Sequence, residues 1–144
     1  MPACVFCQIA SGGVPAGIVF EDEQTLAFLD HRPVFPGHML LIPREHIPTL
    51  NDVSPPLLSQ LSANARLLAI AVEKALAAQG AFVAINNRVS QSVPHLHFHI
   101  VPRTKGDGLK GFFWPRSKYR DPPHMEETRA AMMRAINELK EGRV

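Results

Sequence analysis

The chain has 144 residues, of which 46% are hydrophobic and 19% are charged, as in an ordinary globular protein of one domain. Its formal net charge of +2 is too small for the surface as a whole to bind nucleic acid, so no nucleic-acid partner is expected. No window approaches about 18 uninterrupted apolar residues, and the N-terminus shows no basic region followed by an apolar run. We therefore expect no membrane span, no secretory signal and a cytoplasmic location.

Three short strands are predicted over residues 16–21, 25–30 and 37–43, because turn-forming residues separate these segments. Within the third segment, residues 39–42 form a continuous apolar run. Such a run is typical of a strand that is buried on both faces.

The longest predicted helix covers residues 55–79. Ser54 is a suitable N-cap, proline is favourable in the first turn that follows it, and Gly80 lies where the helix should stop. Apolar residues recur between these signals at spacings of three and four, at Leu57, Leu61, Ala65, Leu68, Val72 and Leu76.

Two further strands, a long loop and a last helix complete the predicted elements. The strands cover residues 81–86 and 95–102, and the basic and aromatic loop covers residues 103–120. Asp121 caps a helix that runs to about Leu139. A set of short strands with separated helices favours an α+β fold in which helices pack on a sheet.

The second of these strands carries three histidines at alternate positions: His95, His97 and His99. Side chains alternate faces along a strand, so the three imidazoles share one face with neighbours about 6.5–7 Å apart, and the apolar residues between them point into a core. Imidazole is a nucleophile, an acid or base, and a metal ligand near neutral pH. The spacing itself allows phosphoryl or nucleotidyl transfer by the central ring, a metal site, or unrelated surface histidines.

Cys4 and Cys7 are the only two cysteines of the chain and have C-x2-C spacing. In a chain without an export signal, this spacing favours metal binding or redox chemistry over a structural disulfide. Two thiolates supply half of the four ligands that a closed structural zinc site needs.

The run from His95 to Val101 resembles the His-φ-His-φ-His-φ-φ pattern of the histidine triad (HIT) family of nucleotide hydrolases and transferases. Similar motifs extend the likeness over nearly the whole chain, at residues 4–9, 28–30, 36–47 and 91–95. The resemblance implies a single HIT domain over residues 1–144, with an antiparallel sheet of about five strands packed with two helices.

The resemblance also assigns catalytic roles by position. His97 would be the nucleophile that forms a nucleotidyl-phosphohistidine, and His99 would contact the phosphate or the bridging atom of the leaving group. His38 would belong to a histidine relay that supports the triad through His95. Ser92 would lie near the phosphate and the leaving group.

Three further residues would bind the substrate by the same resemblance. Asp30 matches an acidic residue that accepts hydrogen bonds from the ribose hydroxyls, and it could also be a simple turn residue. Gln91 matches a polar residue near the phosphate, and Asn86 matches an asparagine of the same pocket. Family members commonly have glycine directly before this glutamine, whereas this chain has Ser90, which restricts the backbone.

Zinc-bearing relatives, including the galactose-1-phosphate uridylyltransferases, complete a pair of cysteines with two histidines. Here those ligands would be His46 and His95, in addition to Cys4 and Cys7, and the zinc would be structural. His46 could alternatively lie at the start of a helix or on the surface. If His95 binds zinc through one nitrogen, only its other nitrogen can engage His38.

The activity implied is release of AMP, or another nucleoside monophosphate, from phosphoramidates or dinucleoside polyphosphates by a homodimer. Two alternatives are a nucleotide-binding scaffold with incidental hydrolysis and a metal-dependent hydrolase that uses the triad as ligands. The loop over residues 103–120 could close over the nucleotide, pack across a dimer interface, or fill the local core with its aromatic residues.

Overall fold

The computed structural model describes residues 3–110 and 116–142. Within these residues the strands are β1 (Ile18–Glu21), β2 (Thr25–Leu29), β3 (Met39–Pro43), β4 (Gly80–Ala84) and β5 (Phe98–Arg103). The α-helices are α1 (Val5–Ala10), α2 (Pro55–Leu76) and α3 (Pro122–Lys140), and a short 3-10 helix covers Leu50–Asp52. The strands form one antiparallel sheet in the order β1-β2-β3-β5-β4. The predicted α+β fold is confirmed.

The chain divides into two compact units, with the boundary between Asp107 and Gly108. The first unit holds the sheet with α1 and α2, and the second holds α3, none of whose residues is buried. The HIT domain over residues 1–144 as one body stays a prediction. None of the helices in the described residues is both long and apolar enough to cross a membrane.

The sheet of the first unit is covered on both faces. One apolar cluster joins α2 to side chains such as Leu41 and Ile100, and a second joins α1 to side chains such as Phe28 and Leu40. Because side chains alternate along a strand, β3 contributes to both clusters, and all five of its residues are buried. The continuous apolar run at residues 39–42 therefore predicted its burial correctly.

The histidine strand begins later than predicted, at Phe98 rather than at residue 95. His99 is paired with Leu40 of β3, so its side chain lies on the α1 side of the sheet. Leu96 precedes the strand, and its N–H donates to the carbonyl oxygen of Ile47 at 2.7 Å. The apolar residues between the histidines lie in the α2 cluster, as predicted: Leu96, Phe98 and Ile100.

The helix boundaries differ from the predicted ones where a local signal was misread. The helix predicted over residues 55–79 ends at Leu76, because Ala77 adopts a left-handed conformation with φ of 54°. Gly80, the predicted stop, is the first residue of β4. The short helix α1, which begins after Cys4 and contains Cys7, was not predicted. Residues 111–115, with the aromatic centre of the predicted loop, lie outside the described residues.

Candidate active site and metal centre

The hydrogen bonds of His97 determine which of its nitrogens can react. Nδ1 lies 2.7 Å from the carbonyl oxygen of His95. A carbonyl can only accept, so Nδ1 carries the proton and Nε2 keeps its lone pair. Nε2 is therefore the ring nitrogen that is able to attack an electrophile.

The ring of His97 is only 4% exposed, so the access of this atom needs a separate argument. Every buried side-chain nitrogen and oxygen of the described residues has a hydrogen-bond partner. Among the described contacts, Nε2 of His97 has none, and therefore it cannot be one of the buried atoms. Nε2 is therefore not fully enclosed, although His97 as a whole is buried.

His38 and His99 are joined by a hydrogen bond of 3.0 Å between Nε2 of His38 and Nδ1 of His99. The backbone N–H of Val34 donates to Nδ1 of His38 at 3.1 Å. Nδ1 of His38 is therefore unprotonated, and its Nε2–H is the donor to His99. The proton of neutral His99 is left on Nε2, where it can be donated to a ligand.

The predicted relay from His38 through His95 is wrong, because His38 contacts His99 instead. Both nitrogens of His95 are already engaged: Nε2–H donates to the carbonyl oxygen of Pro43 at 2.8 Å, and Nδ1 faces the two cysteines. The anticipated competition at His95 between zinc and His38 therefore does not arise.

Asp30 lies beside this pair of imidazoles. One of its carboxylate oxygens accepts the backbone N–H of Arg32 at 2.9 Å, and the other lies 3.7 Å from Nδ1 of His38. Burial lowers the pKa of His38, and the negative charge of Asp30 opposes this effect. Burial also lowers the pKa of His99 to about 4, with smaller contributions from His97 and His38. Both rings are therefore neutral at pH 7.

A glycine turn places His38 in this cluster. Gly37 has φ of 99°, which favours glycine, and a Cβ at this position would overlap Cδ1 of Leu76. The side chain of His38 that follows is 3% exposed.

The second cluster brings together the four predicted metal ligands, Cys4, Cys7, His46 and His95, with their ligand atoms within 4.8 Å of one another. The sulfur of Cys4 lies 3.4 Å from Nδ1 of His95, and that of Cys7 lies 3.6 Å from the same atom and 3.3 Å from Nδ1 of His46. Ligands bound tetrahedrally at normal Zn–S and Zn–N lengths are separated by roughly 3.5 Å. The three measured separations are close to this value, and all four ligand atoms lie near enough to one another to hold one ion.

The protonation of the cluster is also suited to a cation. Because Nε2–H of His95 donates to Pro43, the lone pair of Nδ1 points at the thiols, as in metal sites where a backbone carbonyl orients the histidine. Burial raises the pKa of the Cys7 thiol, and the hydrogen bond and charge of Cys4 raise it further. Both effects disfavour ionisation of Cys7 beside Cys4, and a bound cation would offset them.

The remaining predicted residues are placed on a loop that precedes the triad. Gln91 uses both ends of its amide within the fold: Oε1 accepts from the N–H of Arg88 at 3.0 Å, and Nε2 donates to the carbonyl of Pro48 at 2.6 Å. Asn86 and Ser92 are exposed, and no hydrogen bond or ring contact among the described residues joins either to a triad histidine. Their roles stay predictions from the resemblance.

Sequence reasoning missed the parts of the site that the backbone supplies. The carbonyls of Pro43 and His95 and the N–H of Val34 fix the three tautomers, and no side-chain identity signals them. It also missed that the ring of Phe6 contacts both His95 and His97. Its position between the two cysteines is the signal that could have indicated this contact.

Comparison with known proteins finds relatives in one family. The HIT domain family matches residues 11–106. An adenosine 5′-monophosphoramidase of Schizosaccharomyces pombe is 36% identical over 115 residues, which cover 78% of this chain and 84% of that protein. An asymmetrical bis(5′-nucleosyl)-tetraphosphatase of the same organism is 34% identical over 96 residues, which cover 65% of this chain and 53% of that protein.

A Zn-bound histidine triad family protein of Mycobacterium smegmatis has a similar crystal structure, with a TM-score of 0.72 and 38% identity. The likeness covers 94% of this chain and 96% of that one. Since the family match spans more than half of the sequence and a structure of 38% identity shares the fold, the chain belongs to the HIT domain family.

Proposed function

We propose that the protein is a nucleotide hydrolase that works through a phosphohistidine on His97. The observation that carries this proposal is the bond from Nδ1–H of His97 to the carbonyl of His95, which leaves the lone pair on Nε2. The relatives named as a phosphoramidase and a tetraphosphatase support the class of reaction. The substrate proposed is a nucleoside monophosphate, AMP in the first instance, linked to an amine or to a second nucleotide.

In the first step, the lone pair on Nε2 of His97 attacks the α-phosphorus, and the bond from phosphorus to the leaving group breaks with its electrons on the leaving group. The imidazole ring gains positive charge, which the carbonyl of His95 stabilises through Nδ1–H. In the second step, water attacks phosphorus and the N–P bond breaks, which returns the lone pair to His97 and releases the nucleoside monophosphate and a proton.

His99 assists this reaction as a hydrogen-bond donor. Its pKa of about 4 makes it neutral at pH 7, so Nε2–H stabilises charge on the phosphoryl or bridging oxygen without transferring its proton. A phosphate leaving group departs as an anion and needs no proton, whereas an amine takes one from solvent. Asp30 is proposed to accept hydrogen bonds from the ribose hydroxyls.

The deciding experiment compares hydrolysis of an adenosine phosphoramidate with that of diadenosine tri- and tetraphosphate, for the wild-type protein and His97→Ala. Rapid quenching with substrate labelled at the α-phosphorus should trap label on the wild-type protein only. His124→Ala, on α3, is the matched control and should retain activity. Undiminished hydrolysis by His97→Ala would exclude the proposed nucleophile, and tight binding of AMP with no turnover would favour a nucleotide-binding scaffold.

We also propose that Cys4, Cys7, His46 and His95 hold a zinc ion. Supporting this, the three measured separations of ligand atoms are 3.3–3.6 Å, close to those of tetrahedral coordination, and the M. smegmatis relative is Zn-bound. When bound, zinc supplies no chemistry to the substrate and acts as a cross-link. The chain's own residues would then hold α1 against the segment that carries His97.

We further propose that the protein is a homodimer and that it is located in the cytoplasm. Strand β4 ends the sheet, and exposed apolar side chains lie on it and on α2, including Val83, Leu67 and Ile70. A strand edge with apolar neighbours is suited to pairing with a second copy. Sedimentation equilibrium tests this proposal, and a monomer at micromolar concentration would contradict it.

A further inference from the structure

The aromatic ring of Phe6 joins the metal cluster to the nucleophile. Phe6 lies on α1 between Cys4 and Cys7, is 6% exposed, and packs edge-to-face on three rings. Its centroid lies 5.8 Å from that of His95, 5.2 Å from that of His97, and 5.4 Å from that of Phe28. Edge-to-face contacts at these separations are specific in geometry as well as attractive.

The imidazole of His97 packs between two rings, one from helix α1 and one from the sheet. The plane of Phe6 is inclined to it by 84°, and on another side His99 lies 5.0 Å away at 66°. The bond to the carbonyl of His95 fixes one nitrogen, and these two rings restrict rotation of the imidazole about that bond. His99 is carried by the sheet, whereas Phe6 is carried by a helix of six residues.

Helix α1 is too short to be stable by itself. Isolated helices below about 12 residues are marginal, and the N-cap Cys4 makes no side-chain capping bond. The position of α1 depends on apolar packing by Phe6 and Ile9. It also depends on the link from Cys4 and Cys7 to His95, through direct contacts or through a shared metal ion. The position of the Phe6 ring therefore depends on whether the two thiols bind a metal ion.

We infer that Phe6 is a positioning residue for the reaction: it transmits occupancy of the Cys4/Cys7 metal site to the orientation of the His97 ring. The inference rests on the proposed function in one respect, namely that His97 is the nucleophile. With the site filled, α1 presses Phe6 against His97 and Nε2 faces the substrate. With the site empty, the His97 imidazole loses its contact with Phe6, one of the two rings that restrict it, and samples orientations that do not lead to attack.

The test uses the zinc-loaded protein and Phe6→Leu, with Leu26→Val as the matched control. Leu26 is 1% exposed, belongs to the same apolar cluster and has no aromatic ring. Zinc content is measured for each protein. Long-range proton–nitrogen spectra of histidine-labelled protein at one fixed pH then report which nitrogen of His97 carries the proton, with His97→Ala identifying its signals.

In the wild-type protein with zinc, we expect one Nδ1–H tautomer. Phe6→Leu should keep one equivalent of zinc but show a second His97 form, and its kcat should fall about tenfold while KM changes little, since misplacement of a reacting group affects turnover. Leu26→Val should resemble the wild type. Withdrawal of zinc by a chelator should produce the second form in the wild type and add little in Phe6→Leu.

Identical His97 spectra and kcat in Phe6→Leu and the wild type would overturn the inference, as would equal effects of Phe6→Leu and Leu26→Val. If Phe6→Leu fails to fold, the chelator titration of the wild type decides: His97 signals that do not respond to zinc also overturn it. Failure of the proposed function would appear differently, as a wild-type protein that hydrolyses none of the nucleotide substrates while its His97 spectra still depend on zinc.

Discussion

Nε2 of His38 donates a hydrogen bond of 3.0 Å to Nδ1 of His99, so a buried imidazole decides which face of its neighbour carries the proton. The direction of the bond follows from a backbone amide, since Val34 N–H can only donate to the other nitrogen of His38. The ring of His99 thereby presents N–H rather than a lone pair to a phosphate. A donor at this position favours an anionic ligand.

Replacement of His38 tests this relation. His38→Leu removes the donor, so His99 can place its proton on either nitrogen, and we expect kcat to fall about 10- to 100-fold, the effect of losing one oriented donor. His38→Gln keeps an amide N–H and should retain more activity. The nitrogen spectra of His99 should show mixed tautomers in the leucine variant. Equal kcat for the two variants would contradict the orienting effect of His38 on His99.

Asp30→Asn tests the proposed ribose contact. The amide keeps an oxygen for the N–H of Arg32 but loses the negative charge. A hydrogen bond to a charged group contributes about 1.5–3 kcal/mol, so the wild type should prefer a ribonucleotide over its 2′-deoxy analogue about tenfold or more in kcat/KM. The preference should largely disappear in Asp30→Asn. A preference that persists unchanged would place the ribose elsewhere.

His99 makes stability dependent on pH in a definite direction. Its pKa is about 4 in the folded protein against 6.5 for an unburied histidine, so the folded state disfavours the proton. The stability that neutral His99 contributes is present above pH 6.5 and is lost as the pH falls to about 4. The loss amounts to roughly 2–3 kcal/mol. Urea denaturation of the wild type and His99→Gln across this window should show a smaller loss in the variant; parallel curves would contradict the shift.

His46 offers the sharpest test of the metal centre because it is the exposed ligand. His46→Ala removes little packing, so in chelator its Tm should equal that of the wild type. With zinc added, the wild type should bind one equivalent and gain several degrees, because a ligand that binds only the folded state stabilises it. The variant should gain less. A wild-type protein that binds no zinc would exclude the proposed site.

The parts of the fold that depend on side-chain patterns were predictable, and those that depend on backbone contacts were not. The buried run of β3 and the alternation of Phe98 and Ile100 with the histidines follow from periodicity alone. The hydrogen-bond partner of His38 could not be predicted in this way. The N–H of Val34 engages His38 and the carbonyl of Pro43 engages His95, and side-chain patterns do not signal such backbone contacts. The metal ligands came from resemblance; the structure brings their ligand atoms within 4.8 Å of one another, and their binding of zinc stays a prediction.

Ser90 is a site where this sequence departs from the glycine that family members commonly carry, and its backbone still adopts the conformation that glycine favours. Its φ is 60°, and Arg88 two residues earlier has φ of 72°. A left-handed conformation costs a residue with a Cβ about 1 kcal/mol, and the hydrogen bonds of Gln91 at both ends of its amide hold the loop in place.

Ser90→Gly should therefore raise the free energy of unfolding by about 1 kcal/mol, since the folded conformation no longer carries this strain. Ala77→Gly is the matched control, because Ala77 has φ of 54° at the end of α2, away from the triad loop, and should gain a similar amount. Guanidinium denaturation measures both. A loss of stability in Ser90→Gly beside a gain in Ala77→Gly would mean that the Ser90 side chain makes a compensating contact, and the loop would then be built differently from the glycine-bearing one.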